Sequence, residues 1–79
     1  MPTVLRVGGF KFGFFPDDHE PPHVHVRYAG ATAVLEILAG TARDISGMKD
    51  PDVRRAQRIV EEHRDELLLM WIAIQAEAR

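Results

Sequence analysis

Cysteine is absent from the 79-residue chain. Its absence excludes disulfides, thiolate metal sites and cysteine nucleophiles together, and it fits a reducing compartment. Long apolar runs are missing too. The longest, Leu67 to Ile74, falls far short of the ~20 residues that cross a bilayer, so no membrane partner is expected. The opening "MPTVLRVGG" has no apolar stretch behind a basic start, so no secretion signal is expected and the chain reads as cytoplasmic. Charge of one sign is also lacking. Ten Lys and Arg stand against twelve Asp and Glu, a formal charge of −2, and no global positive field draws the chain to nucleic acid.

What is present is enough for one small folded domain. The apolar fraction is 46%, above what a disordered segment carries. A domain of this size buries only ~60–65% of its unfolded surface. So thin a core favours help from a partner or a second copy.

The first part alternates as strands do. "TVLRV" is followed by Gly8-Gly9, a two-residue hairpin turn, and then by "FKFGFF" with Phe10, Phe12 and Phe14 on one face. That turn puts Val7 opposite Phe10, Leu5 opposite Phe12 and Thr3 opposite Phe14, with Arg6 and Lys11 pointing away from the core. A second hairpin follows. "HVHVRY" and "ATAVLEIL" flank Ala29-Gly30, which places Val24 against Leu35, Val26 against Ala33, His23 against Glu36 and His25 against Val34. "AGTARDISGMK" reads as loop with a short extra strand near Thr41 to Ile45.

The last part is helical. Asp50 suits an N-cap, Pro51 the first helical position, and Asp52 the first turn, where the helix dipole favours an acid. Val53, Ala56, Val60, His63, Leu67, Met70 and Ile74 recur at spacings of three and four. The expected architecture is α+β: residues 1–48 form a small antiparallel sheet of three to five strands from two hairpins, and residues 49–79 one long C-terminal helix, running from about Pro51 to Glu77 and packed on the sheet. From Leu67 to Ile74 that helix is apolar almost all round. Leu67, Met70, Trp71 and Ile74 face the sheet, which leaves Leu68, Leu69 and Ile72 as a candidate interface for a second copy or a small partner. Arg54, Arg55 and Arg58 cluster early in the helix; they read as a solvated face, with phosphate contact as the alternative. His63 reads as a hydrogen-bonded interface histidine, with metal ligation as its alternative.

The chemistry-bearing stretch is "DDHEPPHVHV", Asp17 to Val26, which holds three of the four histidines. His23 and His25, two apart on a strand, leave the same face. Three readings stand side by side. In the first, which ranks ahead, Pro21-Pro22 force an irregular entry to the strand, and Asp18 and the histidines clamp its unpaired backbone groups. In the second, His19, His23, His25 and Asp18 hold a divalent transition metal; three nitrogens and an oxygen suit zinc, nickel or iron. In the third, His19, His23 and His25 with Glu36 act as general acid and base, as in a small ribonuclease-like enzyme.

The string Asp18-His19-x-Pro21-Pro22-His23-x-His25, the opening "MPTVLRVGGFKFGFF" and the helical "HRDELLLMW" together resemble the small bacterial proteins of domain of unknown function family 4160. Val24 stands where relatives often have Phe. The resemblance implies a component of a toxin–antitoxin-like pair, acting as a homodimer or with a small protein encoded alongside. It carries over no catalytic residue. A ribonuclease-like or metal-dependent hydrolase toxin is the enzyme alternative. A nucleic-acid-binding transcriptional regulator is the third, although no helix-turn-helix pattern is visible.

Overall fold

Gly8 and Gly9 adopt φ of 52° and 83° in the computed structural model, which describes residues 1–77. Two successive left-handed residues make the tight turn whose twist suits antiparallel strands, and glycine meets no Cβ clash there. The turn joins β1 (Thr3–Val7) to β2 (Phe10–Gly13). Ala29 and Gly30, also at positive φ, join β3 (His23–Tyr28) to β4 (Ala31–Glu36), and β5 (Ala42–Ser46) completes the sheet. The order is β1-β2-β3-β4-β5 with every neighbour antiparallel. The chain is thus an α+β fold with a five-stranded meander.

The second hairpin has the expected register: His23 opposite Glu36, Val24 opposite Leu35, His25 opposite Val34 and Val26 opposite Ala33. In the first, Val7 meets Phe10 and Leu5 meets Phe12, but Thr3 meets Gly13 rather than Phe14. An extra residue in β1 between Thr3 and Leu5 shifts the ladder there. The stretch read mainly as loop is a full edge strand, β5. It bulges at Asp44, whose φ is 51°, so that Thr32 pairs with Ser46 and Val34 with Arg43.

The C-terminal part is two helices, a correction to the single one expected. α1 spans Asp50–Glu62 and α2 spans Arg64–Glu77; residues 78–79 of the expected helical segment lie outside the described residues. His63 sits between them at φ −110° and ψ 19°. In one unbroken helix Glu61 would face Asp65, and Glu62 would face Glu66, one turn on, as repelling like charges. The break instead puts Asp65 and Glu66 in the first turn of α2, where the dipole stabilises them, and His63 Nδ1 pairs with the Glu66 carboxylate. At the other end Lys49, not Asp50, is the capping residue, and its carbonyl accepts from the Asp52 and Val53 amides. Asp50 thereby joins Asp52 in the first turn.

One face of the sheet packs on these helices. Phe10, Phe12, Phe14, Val24, Val26, Leu35 and Ile37 meet Val60, Leu67 and Trp71 at the centre of the core, each of the ten under 2% exposed. The other face, which carries Arg6, Lys11, His25, Arg27 and Val34, has no helix over it among the described residues.

Candidate metal centre

The motif lies in the connection between β2 and β3, residues 14–22, and in the first residues of β3. Its geometry starts with a turn. The Asp18 amide donates to the Phe15 carbonyl at 3.1 Å, and the Phe15 amide donates back to Asp18 Oδ2 at 2.9 Å. Pro16, second in the turn, presets the backbone for it. With Oδ2 held by Phe15, Asp18 Oδ1 is free to face inward.

Helix α2 fixes this turn from below. Gln75 Nε2 donates to the Asp18 carbonyl at 2.9 Å, and the Trp71 indole N–H points to Glu20 Oε1 at 3.4 Å. The Trp71 ring lies edge-on to Phe14, with centroids 5.7 Å apart, and 5.2 Å from the His23 ring. The Glu20–Pro21 peptide is cis. His23, only 6% exposed, donates from Nδ1 to the Pro21 carbonyl at 2.9 Å.

That last bond decides the site's character. A carbonyl can only accept, so His23 Nδ1 carries the proton and, in the neutral ring, Nε2 presents a bare lone pair. This Nε2 lies 3.4 Å from Asp18 Oδ1, and His25 Nε2 lies 3.2 Å from the same oxygen. A lone pair facing a carboxylate oxygen is repulsive unless a cation, proton or metal, shares the space. Ligands held tetrahedrally at ~2.0–2.1 Å from an ion stand about 3.3–3.4 Å from one another. The observed separations fit that spacing, and the ligating atoms of Asp18, His23 and His25 all lie within 4.8 Å of one another. Each supporting contact is of the kind that orients metal ligands: Nδ1 of His23 on a backbone carbonyl, the second oxygen of Asp18 on an amide. The group can therefore hold a metal. The clamp contacts expected of this stretch are present as well: the Phe15 amide on Asp18 and His23 on the Pro21 carbonyl.

The Asp18 carboxyl sits below its ordinary value. Burial pushes it up, but the Phe15 amide, the His25 hydrogen bond and the His25 and His23 charges together pull it further down. A depressed folded value means stability present above the unfolded carboxylate's titration and lost as pH falls through the folded one. With metal removed by chelator, the wild type should be more stable than Asp18→Asn at pH 6–7, and the difference should fade below about pH 4. Urea unfolding of both proteins across that range measures it.

The other expected site residues fall differently. His19 is exposed and outside the three-residue group, although it lines the same shallow depression with Phe15, Asp17, Glu20 and Arg43. Glu36 stands opposite His23 in the ladder, but its Oε2 lies at ion-pair distance from Arg43 Nε, 3.5 Å, without a hydrogen bond, while Arg43 donates to Asp44 at 2.7 Å. Arg55 is drawn away from solvent ligands: it bonds Asp52 at 3.2 Å, and its guanidinium caps the stacked Phe10 and Tyr28 rings at 5.1 and 5.5 Å. Arg54 and Arg58 are exposed. Leu68, expected to be left over, is half-buried against the core; Leu69 and Ile72 are 69% and 60% exposed. Trp71, Gln75 and Arg43 were not singled out for the site. The Asp18 hold on a nearby amide follows from its turn position and is observed, but nothing local marks contacts that close across more than fifty residues.

A family model described as Domain of unknown function (DUF4160) matches residues 9–72, which include the whole motif and both helices as far as Ile72. No curated protein and no solved structure matches the chain.

Proposed function

We propose that this chain, which belongs to the DUF4160 family, is a metal-binding protein whose centre is Asp18, His23 and His25. The observation that carries the reading is His23 Nε2, which in the neutral ring with Nδ1 bonded to Pro21 turns its lone pair toward Asp18 Oδ1, 3.4 Å away, with His25 Nε2 3.2 Å from the same oxygen. Two imidazoles and a carboxylate suit zinc, nickel or ferrous iron. Three protein ligands leave a coordination position open. Closed structural zinc sites use four ligands, whereas hydrolytic centres keep one place for water, which zinc acidifies to a pKa of about 7. The depression beside the group, lined by Asp17, Asp18, His19, Glu20, His23 and Arg43, gives solvent access to that position. Calorimetric titration of tag-free, chelator-stripped protein should find one zinc per chain, and Asp18→Ala should bind it far more weakly. An absence of saturable binding to zinc, nickel and ferrous iron alike would remove the reading.

A second reading, an interaction module that pairs with a second copy, rests on Leu69 and Ile72. Its energetics are modest. With Leu68 engaged in its own core, two large side chains per protomer remain, worth ~6–12 kcal/mol together before association costs of ~4–15 kcal/mol. Sedimentation equilibrium should therefore show reversible dimers only at high protein concentration, and Leu69→Glu should abolish them. A wild type that stays monomeric throughout would end this reading. The toxin–antitoxin setting implied by the resemblance fits such a module, with the partner gene product taking the same patch.

A further inference from the structure

Arg6, Lys11 and Arg27 are direct ladder partners on three adjacent strands: Arg6 lies opposite Lys11, and Lys11 opposite Arg27. All three are exposed on the sheet face without a helix over it, and Thr32 continues the row on β4. Like charges placed directly across a sheet repel and cost stability. Nothing offsets that cost here, because none of the three has an acidic partner among the described residues. The chain's negative balance does not cancel the row either. Residues 1–49 carry five bases and five acids, while residues 50–79 carry five bases and seven acids, so the excess acid lies in the helical part.

The row also has a direction. His25 stands two residues from Arg27 on β3 and shares its face, about 6.6 Å along the strand. Against His25 lies Phe15, edge-on with centroids 4.6 Å apart and 36% exposed. A line of unpaired cations ending at a partly open aromatic pair is the combination that holds single-stranded nucleic acid, cations on the phosphates and rings on the bases. The face, where Met1 and Pro2 lie over Gly13, offers no helix to a duplex groove.

We propose that the sheet face without a helix over it binds single-stranded nucleic acid, with Arg6, Lys11 and Arg27 on successive phosphates and Phe15 beside a base at the end next to Asp18 and His25. The proposal deepens the metal reading by naming the substrate class of that centre, and binding to the row itself needs no metal.

The test is fluorescence anisotropy with a labelled 12-nucleotide oligouridine and an oligothymidine of the same length, in EDTA. Three phosphate contacts give a log–log salt slope of about −2, so affinity should fall roughly 15–20-fold between 50 and 200 mM salt. The triple variant Arg6→Gln/Lys11→Gln/Arg27→Gln should lose at least about tenfold at 50 mM salt and flatten that slope, with its circular dichroism unchanged. Arg54→Gln/Arg58→Gln, on the helix, should bind as the wild type does. Preference between the two oligonucleotides assigns RNA or DNA. No binding by the wild type at 50 mM salt, equal binding by the triple variant, or binding only to phosphatidylserine vesicles overturns the proposal. Because EDTA is present throughout, these results stand apart from the metal titration: one zinc per chain with no oligonucleotide bound would sink the nucleic-acid face and leave the metal centre standing.

Discussion

Trp71→Ala should remove a large share of the chain's stability, ~3–5 kcal/mol. The indole is 1% exposed and sits where helix, sheet and motif loop meet, against Phe14, His23 and Glu20. Truncating a buried Trp costs ~3–5 kcal/mol, because the cavity it leaves closes only in part. A domain of this length is stable by only roughly 4–12 kcal/mol. Ile72→Ala, next in sequence but 60% exposed, should cost within about 0.5 kcal/mol. Urea unfolding of the two variants measures the contrast. Equal effects would mean that α2 does not seat Trp71 in the core.

The second large effect is on metal affinity. His23→Ala and His25→Ala should each weaken zinc binding by on the order of 100-fold or more, since loss of a merely supporting contact already costs about 10–100-fold. Gln75→Ala, which frees the Asp18 carbonyl from α2, belongs in that smaller class. His19→Ala should change affinity by less than about threefold, because the exposed His19 ring stands outside the ligand group. Competition with a chromophoric chelator ranks the four variants. A His19 effect as large as that of His25 would mean that the loop rearranges to bring a third imidazole onto the ion.

The ranking of His19 against Asp18 shows where the sequence stops being legible. Wherever the turn was short, the register was readable: Gly8-Gly9 fixes Val7 on Phe10, and Ala29-Gly30 fixes His23 across from Glu36, because a two-residue turn and a period of two leave one in-phase pairing. The same period of two puts His23 and His25 on one face. The bulge near Val4 was not readable, since an apolar run tolerates an extra residue without changing its pattern. The break at His63 was hidden for a related reason. The apolar spacing runs unbroken from Val53 to Ile74, and only the paired acids one turn apart, Glu61 with Asp65 and Glu62 with Glu66, oppose a continuous helix.

The centre itself divides in the same way. Which histidines share a strand face follows from spacing. Which loop residue joins them does not, because Asp18 is chosen by a turn onto Phe15 and by Gln75 and Trp71 reaching from α2. Glu36 illustrates the reverse. Its ladder position opposite His23 was right, yet the bulged β5 brings Arg43 to its carboxylate.

The most direct test of the metal centre is zinc K-edge X-ray absorption on protein loaded with one equivalent of zinc after purification without an imidazole column. The expected first shell is two imidazole nitrogens and a carboxylate oxygen at ~2.0–2.2 Å with one further light atom, and the imidazole scattering should fall by half in His25→Ala. A first shell without imidazole, or one that His25→Ala leaves unchanged, would contradict the assignment of the centre to Asp18, His23 and His25.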